Sequence, residues 1–193
     1  MAKLIFRYGA MGASKTANAL MVRFNYEERG QRCLLIKPAC ECRDGENIIQ
    51  SRIGLRAVVD STAEKFLNAV KDKRITLDGI SAIIVDEVQF IDPEYVDALA
   101  EIVDTYDIPV ICYGLKTDFK GKLFEGAKRL MEIADNLEEI PTICWCGKKA
   151  RFNARIEDGH VVKGGNQILL GANDTYVSLC RKHFMSGNIG KDM

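Results

Sequence analysis

The segment Gly9 to Thr16, GAMGASKT, matches the phosphate-loop pattern G-x-x-x-x-G-K-[ST] at every fixed position except one. It follows the apolar residues of LIF and precedes a helical pattern. In such a loop the backbone amides and the helix N-terminus face a triphosphate, Lys15 reaches the β and γ phosphates, and Thr16 ligates Mg²⁺. A Gly/Ala-rich turn that only opens a helix is the alternative. We predict that the phosphates of ATP bind to Gly9, Ala10, Met11, Gly12, Ala13, Ser14, Lys15 and Thr16.

The exception is Ser14, which occupies the position of the second glycine. Glycine is favoured there because the backbone turns sharply close to the phosphates. If the turn requires a left-handed conformation, serine costs about 1–3 kcal/mol. Because Lys15 and Thr16 are retained, we expect a working loop with modestly altered affinity.

Short apolar runs alternate with helical patterns on both sides of this loop. The strands are predicted at KLIFRY, CLLIKP, SAIIVDE and PVICYG, and the helices at Lys15–Arg29, Ala63–Lys71 and Pro93–Thr105. This alternation is typical of a parallel sheet flanked by helices. The segment Pro38–Gly54 has no clear period, so we predict a mobile loop over the ligand edge.

A second motif, SAIIVDEVQF, is an apolar strand that ends in Asp86 and Glu87. An acid at the carboxyl end of such a strand can hold Mg²⁺, so we predict Thr16 and Asp86 as magnesium ligands. Glu87 can accept a proton from whatever attacks the γ-phosphate, and Val88 and Gln89 complete the predicted ATP-binding segment. Capping of the next helix is the alternative role for the acids, although Asp92 is better placed for it.

Two ligand pairs near the C-terminus predict a structural zinc site. Cys144 and Cys146 form one pair, and Cys180 and His183 form the other about thirty residues later. Four such ligands can close a tetrahedral site that stabilises a small domain. A buried cysteine can also be a simple apolar residue, and Cys40-Glu41-Cys42 repeats the C-x-C spacing. We assign Cys33 and Cys112 to the core.

Composition restricts the class of protein. The chain has 193 residues and seven cysteines, with 27 basic and 27 acidic residues. The balanced charge argues against nucleic acid as a partner. Lys3 and Arg7 interrupt what would be the apolar core of a signal peptide, so we expect a cytoplasmic protein with no membrane association. The pattern changes after about Glu139, which predicts an α/β nucleotide-binding domain over residues 1–139 and a small domain over 140–193.

Taken together, these motifs resemble the type II thymidine kinases, a family with cytosolic, bacterial and viral members. The resemblance covers Lys3 to Phe184 and includes the phosphate loop, NYEERG, SRIGL, VDEVQF, YGLKTDFKGKLFEG, ICWCGKKA and YVSLCRKHF. It implies a RecA-like parallel sheet with a zinc-bearing lasso domain. The implied reaction transfers the γ-phosphate of ATP to the 5′-hydroxyl of thymidine, with deoxyuridine open as a second acceptor.

The resemblance also implies roles for individual residues. Glu87 matches the general base of the family and Asp86 its metal-side acid. The lasso segment corresponds to Gln167–Tyr176, and the residues that match the nucleoside pocket are Met11, Phe90, Leu115, Phe119, Gln167, Leu169 and Tyr176. The family further implies a homotetramer and feedback inhibition by dTTP.

Three departures from the family pattern are Ser14, Glu41 in place of an aspartate near the sugar and phosphates, and the C-x-C form of the first zinc pair.

Two other functions stay open. A RecA-like P-loop ATPase would use the same acids to activate water, and a catalytically inactive nucleotide-binding module would explain Ser14. Only a kinase requires the nucleoside for ATP turnover.

Overall fold

A six-stranded parallel sheet forms the centre of the computed structural model, which describes residues 1–165, 167 and 176–190. Within these residues the strands are β1 Leu4–Tyr8, β2 Arg32–Lys37, β3 Ile48–Gln50, β4 Arg56–Val58, β5 Ser61–Thr62, β6 Ile80–Val85, β7 Val110–Gly114, β8 Asn136–Glu139, β9 Thr142–Ile143, β10 Lys149–Ala150, β11 Phe152–Glu157, β12 His160–Val162 and β13 Tyr176–Leu179. The helices are α1 Lys15–Glu27, α2 Ala63–Lys71, α3 Pro93–Tyr106, α4 Glu125–Ile133 and α5 Arg181–Ser186.

The strand order of the central sheet is β5-β2-β6-β7-β1-β8. Strand β7 therefore lies between β1, which leads into the phosphate loop, and β6, which leads into Asp86. Because all these strands are parallel, their carboxyl ends meet at one edge of the sheet. The fold thus brings together the two motifs that the sequence placed about seventy residues apart.

Helices cover both faces of the sheet, as the apolar strands require. One core contains Phe66 of α2, Leu99 of α3 and Leu130 of α4. The core on the other face includes Ala19 of α1 and Tyr113 of β7. The predicted parallel sheet with flanking helices is confirmed. Cys33 and Cys112 are both buried in these cores, and burial raises the pKa of the Cys33 thiol to about 12.

The structure corrects several details of the sequence interpretation. Helix α1 ends at Glu27, two residues before the predicted Arg29. The supposed loop Pro38–Gly54 contains strand β3, which pairs with β4 in a hairpin. Helix α4 and strand β8 were not predicted at all. Strands of three or four residues are too short to show a period in the sequence.

The C-terminal elements have a separate core. We call strands β11, β12 and β13 the C-terminal sheet; it is antiparallel and packs with α5 around Leu179 and Phe184. The predicted strands at ARFNARI and HVVKGG are therefore present, whereas most of QILLG lies outside the described residues. Strand β8 ends at Glu139, and the domain boundary after that residue stays a prediction. In the described part of the chain, no helix has the length and apolar character needed to cross a membrane.

Candidate active site

A cavity of about 360 Å³ lies at the carboxyl edge of the central sheet. The predicted site residues that line it are Met11, Gly12, Ser14, Lys15, Thr16, Glu87, Gln89, Phe90, Leu115, Phe119, Gln167 and Tyr176. Its volume is within the range of pockets that hold small organic ligands. The structure therefore gathers the predicted phosphate, base and nucleoside residues around one space.

The other predicted site residues lie behind this lining or outside it. Gly9 is packed so closely that a Cβ would be 2.5 Å from the Ile140 carbonyl oxygen. Ala10 and Ala13 are buried, and Val88 packs in the core that contains α2, α3 and α4. Leu169 is outside the described residues. The binding roles of these residues stay predictions.

Ser14 adopts the left-handed conformation that a glycine would favour, with φ 55° and ψ 29°. It occupies the N-cap position of α1, and its exposed side chain makes no capping hydrogen bond within the described residues. Among the described residues, the serine thus carries a conformational strain that no capping hydrogen bond of its side chain offsets.

Lys15 folds back onto the loop that precedes it. Its Nζ donates to the carbonyl oxygens of Gly9 at 3.2 Å and Ala10 at 3.1 Å. Burial lowers the pKa of this lysine, and the carboxylates of Glu87 and Asp86 oppose the shift. A triphosphate can replace these two neutral carbonyl acceptors with negatively charged oxygens, which form stronger hydrogen bonds with an ammonium group.

Asp86 is buried beneath the loop and contacts the Thr16 hydroxyl. Burial and the neighbouring Glu87 raise the pKa of Asp86 to about 7. Its Oδ1 is a buried atom that lacks a hydrogen-bond partner among the described residues. An unpaired carboxylate oxygen beside a threonine hydroxyl is a suitable donor set for Mg²⁺, which prefers oxygen ligands. The residues present therefore fit the predicted metal.

Glu87 faces the cavity from a strained backbone, with φ 50°. Its Oε2 accepts a hydrogen bond of 2.6 Å from the Gln89 amide, and its Oε1 lies 3.8 Å from an Arg43 nitrogen. Gln89 in turn accepts the Leu115 N–H at 2.9 Å. A Cβ at Gly114 would be 2.5 Å from the Gln89 side-chain oxygen, so only glycine allows this approach. These contacts fix the direction of the carboxylate.

The segment between β2 and β3 reaches over the same cavity, held by Lys37. This lysine is fully buried, and its Nζ donates to the carbonyls of Gly45 at 2.7 Å and Ile48 at 2.8 Å. It also lies 3.3 Å from Glu41, which is itself buried and accepts the Arg43 N–H. In this structure Glu41 therefore pairs with Lys37 and supports Arg43.

Aromatic side chains form the opposite wall. Phe119 is almost fully buried, and the Arg155 guanidinium stacks on its ring at 3.7 Å. Arg155 also donates to the Tyr176 hydroxyl at 2.7 Å and 3.0 Å. Phe90 contacts Phe124 edge-to-face, with ring centroids 5.7 Å apart. A flat apolar ring can be enclosed between such groups.

Several polar residues near or in the cavity were missed by the sequence interpretation, among them Asn153, Arg155 and Asp118. Asn153 and Arg155 are buried in β11, and Asp118 accepts a hydrogen bond of 3.0 Å from Gln167. Polar residues in a strand normally indicate a solvent-facing side, so the burial of Asn153 and Arg155 had no sequence signal.

Cys144, Cys146, Cys180 and His183 converge in the C-terminal core. Their ligand atoms all lie within 4.8 Å of one another. The measured separations are 3.4 Å and 3.6 Å from His183 Nδ1 to the Cys144 and Cys180 sulfurs, and 4.0 Å between the Cys146 and Cys180 sulfurs. Zinc bonds of about 2.0–2.3 Å give tetrahedral edges of about 3.5–3.8 Å, so the cluster fits zinc. Cys40 and Cys42 are exposed and lie outside this cluster.

The predicted phosphate loop, the Glu87 carboxylate and the residues predicted to bind the acceptor line one cavity, an arrangement that fits a P-loop phosphotransferase. Comparisons with known proteins narrow this class. A family model described as thymidine kinase matches residues 2–184. This chain therefore belongs to the thymidine kinase family and is an ATP-dependent kinase.

Individual relatives agree with this assignment. The chain is 48% identical to the thymidine kinase of Enterobacteria phage T4, over 95% of this chain and 96% of the relative. It is 46% identical to that of Novosphingobium aromaticivorans, over 95% and 97% of the two chains. A solved structure of the replication initiator DnaA bound to AMPPCP and single-stranded DNA covers 73% of this chain and 41% of its own, with a TM-score of 0.46 and 19% identity. A likeness at that level carries no functional information.

Proposed function

We propose that this chain transfers the γ-phosphate of ATP to the 5′-hydroxyl of thymidine, giving dTMP for nucleotide salvage. The observation that carries the proposal is the single cavity that Glu87 lines together with residues of the phosphate loop and with Phe119. ATP supplies the phosphoryl group, and Mg²⁺ neutralises charge on its phosphates.

The residues of the chain have distinct tasks in this proposal. Lys15 and the N-terminus of α1 hold the β and γ phosphates, and Thr16 and Asp86 hold Mg²⁺. Glu87 accepts the proton of the 5′-hydroxyl while the O5′–P bond forms and the bond from Pγ to the ADP oxygen breaks. Gln89 and Arg43 orient the carboxylate for this transfer.

The acceptor pocket of the proposal is formed by Met11, Phe90, Leu115, Phe119, Gln167, Leu169 and Tyr176. The aromatic rings can enclose the base. Gln167 and Asp118, which share a hydrogen bond, add polar groups to the lining of the pocket. Zinc at the four-ligand cluster has a structural role, because four protein ligands leave no position for a reactive water.

The experiment that tests the proposal is ATP turnover measured with a panel of nucleosides and without any. A kinase consumes ATP stoichiometrically with thymidine or deoxyuridine and shows little turnover alone. Equal turnover with and without nucleoside would contradict it and favour the RecA-like ATPase. Membership of the thymidine kinase family and the aromatic acceptor wall favour the kinase over that alternative.

Assembly, regulation and location are proposals that rest on the family resemblance. We propose a cytoplasmic homotetramer that dTTP inhibits and that has no nucleic-acid partner. Light scattering of the purified chain measures the assembly. Inhibition of the thymidine-dependent reaction by dTTP, compared with dCTP as the control, tests the feedback.

A further inference from the structure

Both backbone polar groups of Met11, in the phosphate loop, are engaged by side chains from the C-terminal sheet. The Met11 N–H donates to Asn153 Oδ1 at 2.7 Å, and the Met11 carbonyl accepts from Ser178 Oγ at 2.5 Å. These contacts bridge 142 and 167 residues of sequence, respectively. One residue of the loop is thus held through both of its backbone polar groups by strands that are remote in sequence.

The two side chains are themselves neighbours. Asn153 on β11 and Ser178 on β13 are register partners of the antiparallel C-terminal sheet. Directly opposed residues of this kind have Cβ atoms about 4.5–5.5 Å apart, so together they can hold the two peptide groups on either side of the Met11 Cα. Asn153 also donates to the Thr117 carbonyl at 3.3 Å, which fixes its amide in the orientation that accepts from Met11.

This pair is connected closely to the Cys/His cluster. Ser178 lies two residues before Cys180, one of the four converging ligands. The β13 strand that carries Ser178 ends at the buried Leu179, in the same core as that cysteine. The position of Ser178 relative to the phosphate loop is therefore set by the packing of the C-terminal core.

We propose that Asn153 and Ser178 are positioning residues that hold the phosphate loop in its nucleotide-binding shape through Met11. The proposal rests on the assignment of Gly9–Thr16 as the phosphate site. Because the Met11 N–H is occupied by Asn153, this amide does not serve the phosphates; its task is to anchor the loop. The phosphate contacts then come from the following residues, Gly12 to Thr16, at the start of α1.

Anchoring matters because the exposed residues of the loop have small side chains. Ala10 and Ala13 are buried, whereas Gly12 and Ser14 are exposed and have little side chain to restrict the shape of the loop. A loop that is free to sample other shapes loses that freedom when the nucleotide binds, and the loss weakens affinity. The Asn153–Ser178 pair removes this freedom before binding.

The test uses the full chain with its metal and measures the affinity of a non-hydrolysable ATP analogue with Mg²⁺ by calorimetry. Wild-type chain is measured first, because failure to bind the analogue would refute the phosphate-loop assignment itself. Ser178→Ala removes one contact to Met11, and we expect affinity about two- to tenfold weaker. Ser178→Thr retains the hydroxyl and should restore affinity.

A matched control is Ser61→Ala, which removes a half-buried serine hydroxyl from β5 at the far edge of the central sheet. It should bind the analogue as wild type does. Zinc content per chain is measured for every variant, and we expect no change, since the anchor acts on the loop and not on the metal. In steady state, Ser178→Ala should raise KM for ATP more than it lowers kcat.

Two results would overturn the proposal. One is unchanged analogue affinity for Ser178→Ala in a chain whose wild type binds. The other is weakened affinity that accompanies loss of zinc and is not restored by Ser178→Thr, because that pattern is general damage to the C-terminal core.

Discussion

Replacement of Ser14 by glycine tests how the phosphate loop tolerates its departure from the usual pattern. The residue has φ 55° and ψ 29°, a left-handed conformation that crowds the Cβ of any residue other than glycine. Its side chain is exposed and makes no capping hydrogen bond within the described residues. Ser14→Gly therefore removes strain without removing a capping hydrogen bond seen in the described part of the chain.

The expected magnitude follows from two opposing effects. Relief of the left-handed strain stabilises the chain by about 1–2 kcal/mol. The greater backbone freedom of unfolded glycine opposes this by about 0.5–1 kcal/mol. The free energy of unfolding should therefore rise by about 0–1.5 kcal/mol. Ser14→Gly also removes a hydroxyl that can donate to a phosphate oxygen, and this loss weakens ATP binding. We therefore expect the affinity for ATP to change by tenfold or less, about 1.4 kcal/mol.

Urea unfolding and calorimetry with an ATP analogue measure the two quantities. Ser14→Ala is the matched control, because it removes the hydroxyl but keeps the Cβ and its strain. Ser14→Val adds a β-branched side chain where φ is positive and should be clearly less stable than either. The reasoning fails if Ser14→Gly clearly lowers the free energy of unfolding. It also fails if the native chain binds no ATP while Ser14→Gly binds it and phosphorylates thymidine.

Three further predictions concern other parts of the site. Glu87→Gln should lower kcat by about 10²- to 10⁴-fold because the amide accepts no proton, with nucleotide affinity retained; near-normal turnover at saturating thymidine would refute its role as base. Elemental analysis should find one zinc per wild-type chain, lost from Cys180→Ser and kept by Cys42→Ser; the reverse pattern would exclude the proposed ligand set. Lys37→Met removes the buried cation beside Glu41 and leaves that carboxylate only Arg43, whose Nε lies 3.9 Å away, so it should lower the free energy of unfolding by about 3 kcal/mol in urea titrations, more than the Lys37→Met, Glu41→Gln double variant does; equal losses would contradict the buried pair.

Local pattern was enough to predict the sheet, the phosphate loop and the cysteine ligands. The strand before Gly9 and the strand before Asp86 are apolar runs bounded by turns, and both were predicted close to their observed limits. The ligand pairs were visible because Cys144 and Cys146 are near in sequence, as are Cys180 and His183. In each case the residues that act together lie within a few positions of one another, so spacing alone reveals them.

Contacts between distant segments were decided only by the tertiary structure. No spacing rule relates Met11 to Asn153, 142 residues away, or makes a lysine such as Lys37 fully buried against two backbone carbonyls. The left-handed backbone of Glu87 is likewise imposed by its surroundings, since sequence favours that conformation only for glycine and a few polar residues. The sequence alone determined which chemical groups this chain carries and which short segments form strands and helices, because those depend on neighbouring residues. Their orientation around one cavity required the packed chain, because buried polar groups find partners wherever the fold brings them together.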